Sequence, residues 1–142
     1  MVSKQKLHPG ALPELLGYRL RLAQQAVFRD YATSVQGLSP GRVGLLVTID
    51  ANPGVTQSRL AEAVNRDRST MVAVFDELEA RGLIERRRGA DRRTNGLWMT
   101  RSGRQLLARA LRGIALHEQR VASRLSPGER RQLLALLAKI SG

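Results

Sequence analysis

Between Arg81 and Arg93 stand six arginines and two acids, Glu85 and Asp91, a local charge of +4. A guanidinium fork matches a phosphate or a guanine edge through paired hydrogen bonds, so arginine at this density suits a polyanion. The neighbouring residues say how these side chains are held. The run LEARGLIERRRGADRRTNGLWMT, residues 78–100, reads as a helix end, a strand, a basic loop and a second strand. Gly82 fits the left-handed position that closes a helix. Leu83 and Ile84 open an extended run, and Leu97, Trp98 and Met99 return as another. Residues 89–95 between them carry turn chemistry. A basic hairpin that follows a helix is shaped to straddle phosphates and push a guanidinium into a groove. A solvated charged turn has the same composition, so the residues upstream decide between the two.

Upstream, two short helices meet at a tight turn. Thr56 caps the first, residues 57–64, with Leu60 and Ala61 inside it. Asn65 and Arg66 make the turn, and Asp67 caps the second helix, residues 68–81. Met71, Val74, Phe75 and Leu78 form the inward face of that helix. Two such helices with a basic hairpin behind them make a helix-turn-helix with a wing.

The rest of the chain must hold this reader in place. Leu12, Leu15, Leu16, Leu20, Ala23, Val27 and Tyr31 recur at three- and four-residue spacing, which predicts one long amphipathic helix over 11–36. Ser39-Pro40 starts another helix that runs to Asp50, and Asn52-Pro53-Gly54 breaks it. Thr100 caps a long helix to about Leu125. Ser126-Pro127-Gly128-Glu129 is a capping box that opens a last helix carrying Leu133, Leu134, Leu136, Leu137 and Ile140. The expected fold is mainly α (α+β): one domain, 1–142, with a winged helix-turn-helix module over 39–100. Its wing is two-stranded, and long N- and C-terminal dimerisation helices, 11–36 and 101–142, flank it. Apolar faces at both ends of a chain, shared between two copies, give a two-fold dimer.

The chain has 142 residues, with 24 Lys+Arg against 12 Asp+Glu, a net charge of +12. Nucleic acid is the first partner this implies and an anionic membrane surface the second. Aromatics are 4 %, so the core must be aliphatic. The absence of cysteine excludes disulfides and Cys-based zinc sites. The N-terminal residues lack a secretory signal pattern, and the most apolar run, residues 43–49, is far too short to span a bilayer. A soluble cytoplasmic protein without a membrane partner is the expectation. His8 and His117 lack metal-ligand spacing, and neither a phosphate loop nor a nucleophile motif is present. The expected chain is therefore no enzyme and carries no catalytic residue, metal or cofactor.

Over essentially its whole length the chain resembles the MarR family of bacterial transcriptional regulators. Asp91-Arg92-Arg93 followed by Met99-Thr100 matches the family's wing motif. Leu60-Ala61-Glu62-Ala63, Ser69-Thr70, and the run from Asp76 through Leu83 match its two-helix reader. The resemblance implies a homodimer on a palindromic double-stranded DNA operator, usually a repressor, released by a small and often aromatic effector. The tracts LLGYRLRLAQQAVFRDY and NPGVTQSRLAEAV are similar to a subgroup linked to aromatic-acid catabolism, some members of which respond to aromatic acyl-CoA thioesters. The chain departs from the family at Val72 and Ala73, where Thr and Arg are frequent.

On DNA of that kind the second helix would lie in the major groove. Arg66 and Arg68 would take guanine or phosphate. Ser69 and Thr70 would bond bases or phosphate, or serve only as helix-start residues. Thr56 and Ser58 would offer backbone donors to phosphate. Arg93, then Arg92, would enter the minor groove, with Asp91 orienting Arg93. Arg87 is a backbone contact on the strand, while Trp98 packs or stacks. Tyr18, Arg21 and Arg42 are the candidates for an anionic effector, an aromatic acid or its CoA thioester; the arginines would otherwise be solvated or paired to Glu14 and Asp30. A non-specific, chromosome-organising DNA binder fits the charge equally well.

Overall fold

The computed structural model describes residues 6–64, 67–88 and 95–142 and, of Arg68, the backbone. A 3-10 turn, Leu12–Glu14, precedes α1 (Leu16–Ser34); then come α2 (Pro40–Ala51), β1 (Val55–Thr56), α3 (Gln57–Ala63) and α4 (Arg68–Ala80). Strands β2 (Ile84–Arg88) and β3 (Asn95–Met99) lead into α5 (Arg101–Val121) and α6 (Pro127–Ser141). The described residues form two compact units, one drawn from Met1–Ser34 and Leu116–Gly142, the other from Val35–Ala115.

Local chemistry explains most boundaries. Ser39 accepts from the Arg42 N–H, Thr56 from Arg59 and Asp67 from Thr70, each closing a helix start. Ser126 and Glu129 form the reciprocal capping box of α6. Gly82 ends α4 at φ +71°, with its N–H on the Glu79 carbonyl and that of Leu83 on Leu78.

The N-terminal helix differs from the sequence expectation over 11–36. It is split, because Leu15 is extended (φ −89°, ψ 124°) after the 3-10 turn Leu12–Glu14. It then stops at Ser34, before Gly37 at φ +82°. The sheet also has a member beyond the two expected wing strands. Its order is β1-β3-β2, all antiparallel, with Val55 opposite Leu97 and Ile84 opposite Met99. β1 is too short to announce itself in a sequence; it exists because β3 offers it a free edge.

The second unit closes an aliphatic core. Leu46, Ile49, Leu60, Phe75, Leu78 and Leu97 are inaccessible to solvent, contributed by α2, α3, α4 and β3. The start of α5 is fastened to the end of α4. Thr100 donates its hydroxyl proton to the Gly82 carbonyl and accepts the Gly103 N–H at 2.9 Å. A Cβ at Gly103 would lie 2.0 Å from the Leu83 oxygen, so no larger residue fits there.

The first unit is built differently. Its buried centre is polar: His117, only 3 % exposed, meets Asp30 at 2.7 Å, and the Tyr31 ring stands perpendicular to the imidazole. Arg120 holds both Asp30 oxygens at 3.0 Å and bonds Ser34 as well. The Arg120 guanidinium, then His117, keeps the Asp30 carboxyl well below the usual carboxylate range. The apolar residues of α6, by contrast, stay in solvent: Leu134 is 53 % and Ile140 54 % exposed.

Candidate nucleic-acid interface

The reader is assembled around α4. Met71, Phe75 and Leu78 anchor it in the core, and Leu60 and Ala61 of α3 pack beneath it. Helical spacing then turns Ser69, Val72, Ala73 and Asp76 to the opposite side, where all four are exposed. Thirteen residues at about 1.5 Å each make a rod of roughly 20 Å, suited to a groove about 12 Å wide.

The acids of α4 would repel phosphates were they free. They are instead tied to the frame. Glu77 takes Arg42 of α2 at 2.6 Å and Arg81 at 3.7 Å, and Arg81 also bonds the Gly37 carbonyl. The Arg42 hydrogen bond is the main cause of a Glu77 carboxyl held below its ordinary range. Asp76 pairs with Arg86 of β2, whose backbone N–H reaches Glu79 at 3.1 Å. One arginine thereby ties the wing strand to the reading helix. Its Nε is buried with no hydrogen-bond partner among the described residues.

Asp67 organises the first turn. It accepts the Thr70 N–H at 2.7 Å, the Ser69 hydroxyl at 2.7 Å and the Thr70 hydroxyl at 2.9 Å. Those bonds, the backbone one first, depress its carboxyl. The hydroxyl protons of Ser69 and Thr70 are therefore committed within the helix start. What they keep for a partner is acceptor capacity and, at Thr70, a methyl group.

The strand arginines diverge. Arg86 turns to α4, Arg88 is exposed, and Arg87 lies over the Trp98 ring at 4.7 Å while pairing with Glu85. Trp98 rests on the turn before β1, where its ring leaves a Cβ at Gly54 only 3.0 Å of room; Gly54 is left-handed at φ +82°. Packing is thus the role that the geometry gives Trp98.

Thr56 caps α3 and Ser58 lies exposed in its first turn. Arg66, Asp91, Arg92 and Arg93 lie outside the described residues, as does the side chain of Arg68, which stands in the first turn of α4. Of the effector candidates, Arg21 lies over the Tyr18 ring at 5.5 Å in one unit, while Arg42 of the other holds Glu77. Asp30 is taken by His117 and Arg120, not by the arginines of the first helix or by Arg42. Arg42 also borders a cavity of about 380 Å³ between α2 and α4, lined by Gly44, Leu45, Thr48, Val64, Met71 and Val74. Sequence reasoning missed the Arg42–Glu77 and Arg86–Asp76 ties. Their partners stand 35 and 10 residues apart, and no local pattern marks them.

Among the described residues no cluster of three or more His, Cys, Asp or Glu is placed to hold a metal, and no helix is long and apolar enough to cross a membrane.

This arrangement has counterparts of known kind. A protein named as a transcriptional regulatory protein for the hcr operon of Thauera aromatica is 42 % identical over 135 residues, covering 92 % of this chain and 81 % of that one. The transcriptional repressor CouR, bound to a 23-mer DNA duplex, is 41 % identical with a TM-score of 0.92, over 97 % of this chain and 100 % of CouR. CouR bound to p-coumaroyl-CoA gives 40 % identity and a TM-score of 0.87, over 96 % and 98 %. The profile of the MarR family matches residues 38–94, which take in the elements from α2 through β2. With that match and relatives of this identity along nearly the whole chain, the protein belongs to the MarR family of transcriptional regulators.

Proposed function

We propose that two copies of this regulator bind one palindromic DNA operator, repress the adjoining genes, and leave when an aromatic acid or its CoA thioester binds. The observation that carries this reading is the likeness to CouR in both of its bound states, with duplex DNA and with an aromatic acyl-CoA. The exposed apolar residues of α6 support the dimer, since they need a second surface to leave water. The exposed side of α4 supports the major-groove contact, flanked by Arg66 and Arg68 for guanine or phosphate. Ser69 and Thr70 accept from base amino groups, and the first turn of α3, with Thr56 and Ser58, faces phosphate. Arg92 and Arg93 enter the minor groove, with Asp91 orienting Arg93. Arg87, its guanidinium steadied on Trp98, lines the wing. Such a protein works in the cytoplasm, beside the chromosome.

Release is a population shift. An effector that prefers a dimer with the wrong spacing between its reading helices lowers operator affinity by its differential binding free energy. Tyr18, Arg21 and Arg42 are the proposed anion and ring contacts. The test is fluorescence anisotropy on the promoter duplex beside the gene and on random duplex at one salt concentration. Preference for the promoter by about 10³ or more is expected, reversed by p-coumaroyl-CoA. Equal affinity for both duplexes overturns the reading in favour of a non-specific DNA binder.

A further inference from the structure

The reading face of α4 is short of polar groups. At its centre Val72 is 42 % exposed and Ala73 stands beside it, both on the side away from the buried Met71, Phe75 and Leu78. The polar residues around them are engaged elsewhere. The Ser69 and Thr70 hydroxyls donate to Asp67, Asp76 pairs with Arg86, and Glu79 accepts the Arg86 N–H. The surface offered by the middle of the helix is therefore methyl groups: those of Val72 and Ala73, with that of Thr70 one turn earlier. Valine is also a poorer helix former than alanine, so local stability does not call for it at position 72.

In the major groove one base carries an apolar feature, the C5-methyl group of thymine. From this we infer that α4 reads its half-site by apolar contact with thymine methyls through Val72 and Ala73. The inference rests on the DNA-binding reading above and specifies what that surface selects. A cytosine in the same place offers no methyl. Its N4 amino group would also meet side chains that cannot accept a hydrogen bond, which makes the exchange unfavourable twice over. The flanking arginines supply affinity without this discrimination, because phosphate contacts are blind to sequence.

Deoxyuridine is the direct probe, since it keeps every hydrogen bond of thymidine and lacks only the methyl. The operator is first selected from a random duplex pool with the intact dimer. Each thymine is then replaced singly by deoxyuridine and affinities are compared at fixed salt. Loss of a contacted methyl should weaken binding about fourfold, the worth of one buried methylene-sized group. Symmetric replacement in both half-sites should cost roughly fifteenfold, by doubling that free energy. In the double variant Val72→Ser/Ala73→Ser the thymine-to-uracil ratio should fall to about one. Each ratio compares two affinities of a single preparation, so a partly unfolded sample does not distort it.

If every uracil-substituted duplex binds as well as the selected operator, the inference fails while the regulator reading stands. A uracil penalty equally large in the double variant also overturns it. Absence of preference for any duplex in the pool defeats the regulator reading instead.

Discussion

The two units of this chain solve burial in opposite ways. Val35–Ala115 closes an apolar core, with Leu46, Ile49, Leu60, Phe75, Leu78 and Leu97 out of reach of water. In the unit drawn from Met1–Ser34 and Leu116–Gly142, the buried residues among those described are Tyr31 and His117, gathered about the Asp30 carboxylate. Leu15, Leu16, Leu116, Leu133, Leu134, Leu136 and Ile140 of that unit remain in water. A closed core lets one copy of the reader fold around α4. An open apolar surface beside a polar centre belongs to a structure that one copy leaves unfinished. On the proposed function the contrast separates two tasks, reading and pairing, and each can be attacked alone.

The sharpest attack is on pairing. Leu133→Glu with Leu137→Glu removes two neighbouring apolar residues from α6. Burial of one leucine is worth about 1.5–3 kcal/mol, and a two-fold interface counts each twice, so roughly 3–6 kcal/mol is lost per position. Sedimentation velocity should show a monomer, and operator binding should vanish while the reader keeps its fold. A dimer of unchanged stability would break the comparison.

Next in size is the wing. Arg92→Ala and Arg93→Ala should each weaken operator binding by about 1–3 kcal/mol and flatten its salt dependence, with the sedimentation coefficient unaltered. Unchanged promoter retention would remove the wing from the reading task.

A third change attacks the closed core without touching DNA contacts. Gly103→Ala must push apart α5 and the Leu83 carbonyl, an overpacking cost of about 1–3 kcal/mol. Calorimetry should register a lower Tm, by roughly 4–8 °C per kcal/mol for a unit of this size.

The smallest effect is the acid response of the pairing unit. Asp30 has a folded-state pKa depressed by Arg120 and His117, so its contribution to stability is complete above the ordinary carboxylate pKa of about 4. That contribution fades as pH falls from there through the lower folded value. The difference between the urea midpoints of the protein and of Asp30→Asn should be present above about pH 5 and fade as pH falls below about 4. A gap that widens in acid would mean that Asp30 is not held as a carboxylate.

Much of this design is visible in the amino-acid order, and the particular residues show why. Ser39, Thr56, Asp67, Thr100 and Ser126 cap helices through atoms two or three residues away, and Gly82 turns the chain by its own freedom. Met71, Phe75 and Leu78 disclose the inward side of α4 by their spacing, and α4 keeps them buried. Leu15 did not disclose its extended backbone. The arginine-rich tip and its motif were legible as types and spacing, though Arg92 and Arg93 themselves lie outside the described residues. Val72 and Ala73 were visible only as departures from a pattern; their meaning emerged once the hydroxyls beside them proved to be bonded to Asp67.

Sequence alone determined what is short-ranged: the caps, the turns, the amphipathic stripes, the excess of arginine and the family to which these belong. Tertiary structure alone decided which charges neutralise which. Arg42 with Glu77, Arg86 with Asp76, and Asp30 with His117 and Arg120 join residues 35, 10, 87 and 90 positions apart. Many arginines stand within reach of any one acid when only order along the chain is known. Packing of helices and strands selects one partner, because only that placement compensates both charges for the water they give up.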